Sequence, residues 1–162
     1  MSITHYKTSF LTLPLKRIAL WAFALNALWE FGQCTVLYNM WDWGLWRGAA
    51  WMWGAIVGDV VIVFSIVCGT ALLAGIHHLS PPDSVGWLTL ISTSFIASIA
   101  LEWLAQYLAL WNYSEWMPTA DIAGFSVGLA PIVQITLLPP LSVFLAFRLP
   151  LNTPRKQHLI AR

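Results

Sequence analysis

Residues 50–74 read AWMWGAIVGDVVIVFSIVCGTALLA, an apolar run broken by one charge, Asp59. A helix needs about 20 apolar residues to cross a bilayer, and this run exceeds that length. It predicts a membrane-spanning helix and decides the fold class. Working outward, three further windows qualify, at about 18–38, 87–110 and 122–147. Short connections make neighbouring helices antiparallel. The expected architecture is all-α: a polytopic membrane protein with one antiparallel four-transmembrane-helix bundle. A single domain takes up residues 1–162.

Composition points the same way. The chain is 59% hydrophobic and 9% charged, whereas a soluble domain carries about 25% charged residues. Net charge is +1, with the basic residues mostly at the two ends. Without clustered Lys and Arg, nucleic acid is not an expected partner. Lys7, Lys16 and Arg17 precede the first apolar run, as in a targeting segment. That run continues to about Tyr38, too long for a signal core, and shows no obvious cleavage site, so it reads as a retained span.

The Lys/Arg bias sets the orientation. Lys7, Lys16 and Arg17 at one end, and Arg148, Arg155, Lys156 and Arg162 at the other, place both termini in the cytoplasm. Outer loops 39–49 and 111–121 then hold Asp42, Arg47, Glu115 and Asp121. The inner loop 75–86 holds His77, His78 and Asp83. Trp41, Trp43, Trp46, Trp51, Trp53, Trp111 and Trp116 gather near the outer interface, where indole rings favour the headgroup level. They read as an aromatic belt, or as the lining for a pigment, a quinone or a partner.

Three acids lie inside three different spans: Glu30, Asp59 and Glu102. By helical rise each sits roughly 12 Å below the outer boundary. A charged side chain at mid-membrane costs about 3 kcal/mol or more, so three at one depth suggest a shared polar site. Asn26, Glu30 and Gln33 share one side of the first span, and Glu102 and Gln106 are four apart on the third. Gln134 on the fourth span reads as lying deeper than the acids, and Asn112 and Tyr113 as lying above Gln106. Ser92, Thr93, Ser94 and Ser98 make the inner half of the third span mildly polar. Such a seam could be interhelical glue, a cation site or a proton path.

No HExxH, CxxC, GxSxG or phosphate-binding glycine loop occurs. His5, His77, His78 and His158 all fall outside the spans, which gives haem ligation in the bundle no support. Adjacent histidines on a loop are weak evidence for a metal. Cys34 and Cys68 fall in opposite leaflets and read as unpaired packing residues. No metal or particular cofactor is indicated.

Gly54 and Gly58, and again Gly124 and Gly128, form GxxxG pairs that let helices or a partner approach closely. With Trp51, Trp53 and Trp111 they make up the expected packing or partner face. Pro131 and the pair Pro139-Pro140 are expected to bend the fourth span and free carbonyls near Gln134. A faint duplication relates Leu28-Trp29-Glu30 with Gln33 to Leu101-Glu102-Trp103 with Gln106.

Several motifs occur together: Asn26-Ala27-Leu28-Trp29-Glu30 with Gln33 and Tyr38, then Gly58-Asp59, then Glu102. They continue with Trp111-Asn112-Tyr113-Ser114-Glu115-Trp116-Met117-Pro118, then Gly128, Pro131, Gln134 and Leu138-Pro139. This set resembles an uncharacterised family of small four-span bacterial inner-membrane proteins. The resemblance implies that location and topology, and no activity. It departs where the family pattern carries a His-Cys pair before Gly58-Asp59; this chain has Gly54-Ala55-Ile56-Val57. A fainter echo of the small lycopene-cyclase spans ends at Ile132, Val133 and Gln134, where paired acids would be expected.

Two functional expectations follow. One is a small integral-membrane subunit or accessory protein that packs against lipid, a lipophilic cofactor, another integral-membrane protein or a second copy of itself. The other is a membrane enzyme, or an ion- or proton-binding transporter, that uses Glu30, Asp59 and Glu102. The first predicts acids paired within the bundle and an apolar flank. The second predicts an open pocket joining the acids.

Overall fold

The computed structural model describes residues 13–38, 40 and 43–149. His5, Lys7, Asn39, Trp41, Asp42, Arg155, Lys156, His158 and Arg162, on which the topology reading partly rests, lie outside the described residues. Helix α1 spans Leu15–Leu37, α2 Leu45–Ala74, α3 Ser84–Tyr107 and α4 Leu129–Arg148. The protein is a mostly helical, polytopic membrane protein. α2, α3 and α4 are long and apolar enough to cross a membrane. α1 has 23 residues, about 34 Å at the helical rise, but carries Lys16, Arg17, Asn26, Glu30 and Gln33.

The helices form a ring in which α1 packs on α2, α2 on α3, α3 on α4 and α4 on α1, with α2 and α4 also touching across the diagonal. Neighbours run antiparallel. Arg17 Nη1 at the start of α1 donates to the Ala146 carbonyl near the end of α4 at 3.4 Å. The bundle therefore has a loop end, at the α2–α3 connection, and a hairpin end opposite.

The all-α expectation needs correcting at the hairpin end. Residues 122–128 do not begin the fourth span. Thr119–Ile122 forms strand β1 and Phe125–Gly128 forms β2, an antiparallel pair with Ile122 opposite Phe125. The two linking residues have positive φ, 48° at Ala123 and 87° at Gly124, as a two-residue hairpin turn matched to strand twist requires. Gly124 is a turn residue, so Gly124 and Gly128 form no helical GxxxG pair. Other limits also move: α2 starts at Leu45, before 50, and α3 ends at Tyr107, before 110.

Pro131 sits in the first turn of α4, where a missing N–H removes no helical hydrogen bond. The bend expected there has no cause. Pro139 and Pro140 lie inside α4, which runs on to Arg148. Gly54 and Gly58 also depart from expectation: a Cβ on either meets nothing within 4 Å, so none of the described helices packs closely against them.

The largest apolar cluster lies toward the loop end. Ile18 and Ala22 of α1 pack with Val63, Ile66 and Val67 of α2, Leu90 of α3, and Val143 and Ala146 of α4. Between lipid-facing helices this packing acts through dispersion and close fit, because lipid tails are as apolar as the side chains. The loop end is clamped by Asp83, the N-cap of α3, whose Oδ1 accepts from the Gly86 N–H at 2.9 Å. Its Oδ2 lies 2.6 Å from His78 Nδ1.

The Gly86 N–H, and then His78, hold the Asp83 carboxyl below its ordinary value. A lowered folded-state pKa adds stability above the unfolded value, about 3.9, and that contribution is lost as pH falls through the folded value. Asparagine caps helices as well as aspartate does. Asp83→Asn should therefore melt below the wild type at pH 7, and the two should converge in strong acid. A constant difference in thermal melts from pH 7 to 2 would refute this.

Candidate functional site

At the hairpin end the core gives way to polar side chains. Asn26, Glu30 and Gln33 face inward from successive turns of α1, Asp59 from α2, and Gln134 from the second turn of α4. Glu30 is 5% exposed, Asn26 2% and Gln134 3%. Gln134 is the hub. Its Nε2 donates toward Glu30 Oε1 at 2.9 Å, Asp59 Oδ2 at 2.9 Å and Asn26 Oδ1 at 3.1 Å. Two N–H hydrogens thus serve three acceptors on two other helices. Gln134 Oε1 accepts from Gln33 Nε2 at 2.8 Å, and the same nitrogen donates to Glu30 Oε1 at 2.9 Å. Gln134 lies level with Glu30 and Asp59, which corrects the expectation that it lies deeper. The hairpin accounts for the error: it takes up residues 119–128 and starts α4 later than a span from 122 would.

Glu102 belongs to a separate contact. It is 2% exposed, and its Oε2 accepts from the Tyr113 hydroxyl. The Tyr113 oxygen in turn accepts from the Gly128 N–H at 3.0 Å. Gly128 is small for a reason other than helix packing: a Cβ there would lie 3.1 Å from the Tyr113 ring. The segment carrying Tyr113 is tied to α1 by Ser114, whose N–H donates to the Leu37 carbonyl at 3.0 Å and whose Oγ donates to the Val36 carbonyl at 2.8 Å. The hairpin and this segment close the end of the bundle.

Both groups line one cavity of about 300 Å³. Glu30, Asp59 and Glu102 all reach it, with Gln33, Gln134, Tyr38, Trp51 and Trp111. The rest of its wall is apolar, including Ala55, Ile62, Leu101 and Ile135. Among the described residues, its lining contains no Lys, Arg or His. Tyr38 meets Trp111 edge-to-face at 6.1 Å and Tyr113 at 5.9 Å. Beside this cavity is a smaller one of about 270 Å³ that shares Tyr38, Trp51 and Trp111 and adds Asn112, Trp43 and Arg47. The Arg47 guanidinium lies 4.4 Å above the Trp43 ring.

Not every expected residue joins. Gln106 is outside the cavity lining, and its Nε2 is buried without a hydrogen-bond partner among the described residues. Asn112 is exposed beside the smaller cavity. Trp53 faces outward at 49% exposure against Phe23 and Phe31. Cys34 does more than the packing expected of it: its Sγ donates to Glu30 Oε2 at 2.8 Å. Its position four residues after Glu30 was the available signal. Trp29 Nε1 also joins, donating to Gln33 Oε1 at 2.6 Å. Cys34 and Cys68 are both free thiols. The two histidines face each other at 4.0 Å, and His78 is engaged by Asp83. Among the described residues, no three His, Cys, Asp or Glu side chains converge as metal ligands would.

Comparison of the chain with protein-family profiles, curated proteins and solved structures found no match. The fold and site therefore define a class, a helical membrane protein with an acid-lined cavity at one end of its bundle, and no named family.

Proposed function

We propose that the chain is a four-span protein of a bacterial inner membrane that holds an organic ammonium group in the acid-lined cavity. The observation that carries this reading is the cavity itself: three carboxyls and three aromatic rings around about 300 Å³, with no basic side chain among the described residues of the wall. Acids in a low-dielectric wall must be either protonated or paired with a positive charge, because desolvation is costly for unpaired ions. A proton needs no such room. A bare metal ion asks oxygens to converge at 2–2.6 Å, whereas here Glu30 and Asp59 are held by the Gln33 and Gln134 amides and Glu102 by the Tyr113 hydroxyl. Aromatic faces attract a soft organic cation. Lys16, Arg17 and Arg148 at the loop end support a cytoplasmic loop end and a cavity facing the outer leaflet.

Butylammonium tests the reading. Purified protein in detergent should bind it with a change in tryptophan emission. The pair of changes Glu30→Gln and Asp59→Asn should weaken binding at least about tenfold, or 1.4 kcal/mol. The reading fails if butylammonium leaves the emission unchanged, or if the doubly substituted chain binds it as well as wild type.

A second reading, a subunit packed against a membrane partner, draws support from α2. A Cβ at Gly54 meets nothing, and Trp53, Val57 and Val61 beside it are exposed. That strip offers another helix a smooth approach. A stoichiometric second chain in native mass spectra of the same preparation would favour it.

A further inference from the structure

A second cavity, of about 320 Å³, opens between α1 and α2 at the hairpin end. Its wall includes Phe31, Cys34, Thr35, Met40, Met52 and Trp53. Gly48 helps to make the space, since a Cβ there meets nothing within 4 Å. Thioethers and rings suit a flexible hydrocarbon better than a polar molecule. Cys34 lines both cavities, and its thiol points to Glu30. The polar cavity and the apolar cleft therefore adjoin at one small side chain.

From this adjacency we infer that the ligand is an amphiphilic alkylamine: its ammonium end lies among Glu30, Asp59 and Glu102, and its tail passes Cys34 into the α1–α2 cleft. The inference rests on the ammonium reading above and adds the tail. An ordinary lipid chain gains little by leaving the bilayer for a cleft of equal polarity. A chain is retained there only if its head is held, and the acids supply that hold. Each cavity has about the volume of ten water molecules, enough for a small head in one and a chain of roughly ten carbons in the other.

Photolabelling of the full chain in phosphatidylcholine vesicles tests this, using a twelve-carbon alkylamine with a diazirine near the tail end. Adducts should concentrate on Phe31, Thr35, Met40, Met52 and Trp53. They should fall at least tenfold in the Glu30→Gln, Asp59→Asn chain, and also when the probe carries a hydroxyl in place of the amine. Gly48→Phe, which fills the cleft, should abolish the adducts while butylammonium still binds, showing that the fold is intact. Adducts spread over exposed Leu72, Leu73 and Leu88, or cleft adducts indifferent to the acids, would overturn the inference. If butylammonium binds and the tail labels elsewhere, only the tail assignment falls. If butylammonium does not bind either, the ammonium reading falls with it.

Discussion

Gln134→Leu lowers unfolding stability by about 2–4 kcal/mol, since two buried acceptors lose their donor at about 1–3 kcal/mol each. Leucine is close to glutamine in size, so little of the loss is cavity formation. The loss comes from what remains. Asn26 Oδ1 and Asp59 Oδ2 each accept from Gln134, and Glu30 keeps only its Gln33 and Cys34 donors. A buried polar group left without a partner costs about 1–3 kcal/mol, more if charged. Thermal unfolding in detergent, followed by tryptophan emission, measures the change. Adding Asp59→Leu should recover about 0.5–3 kcal/mol, because the two residues share one interaction. A Gln134→Leu protein as stable as wild type would show that the amide hub does not hold the helices together.

Gly86→Ala produces the second large effect, at the far end of the bundle. Gly86 lies in the first turn of α3, directly over the 3-10 turn at Ile76–His78. An added Cβ would collide with the His78 carbonyl oxygen and also lie 3.5 Å from Leu79 Cδ2. The carbonyl is backbone and cannot swing aside as a side chain would. Relief requires moving the start of α3 away from the loop and disturbing fully buried Leu90 one turn further on. Overpacking of this kind costs about 1–3 kcal/mol, and rigid backbone puts it near 3 kcal/mol. Alanine is the better helix former, so propensity alone predicts the opposite sign. A melting temperature at or above wild type would support propensity over the collision.

Much of the site could be read from residue types. Polar side chains in apolar helices are costly wherever they sit, so Asn26, Glu30, Gln33, Asp59, Glu102 and Gln134 stood out against their surroundings. The structure brings five of them into the lining of one cavity, with Asn26 bonded at its edge. Gln106 carried the same signal and faces elsewhere, because helical spacing gives a shared side of one helix and not that side's neighbour. Gly124 and Gly128 matched a helix-packing spacing that holds only if the segment is helical. Two successive residues of positive φ put it in a hairpin instead.

The sequence by itself determined that this is a helical membrane protein with polar groups at a membrane depth where they need partners. Run length and the cost of burying charge are local properties of the chain, and both can be counted along it. Only the tertiary structure decided how those groups are shared: Gln134 with Glu30 and Asp59, Tyr113 with Glu102, and Cys34 between two cavities. It also decided that the largest apolar cluster lies toward the loop end and the acid-lined cavity toward the hairpin end. Those outcomes depend on which helix faces meet, on where α4 starts after its hairpin, and on backbone contacts such as Gly86 over His78. Each joins residues far apart in the chain or set by a fold in the backbone, and residue spacing carries no record of them.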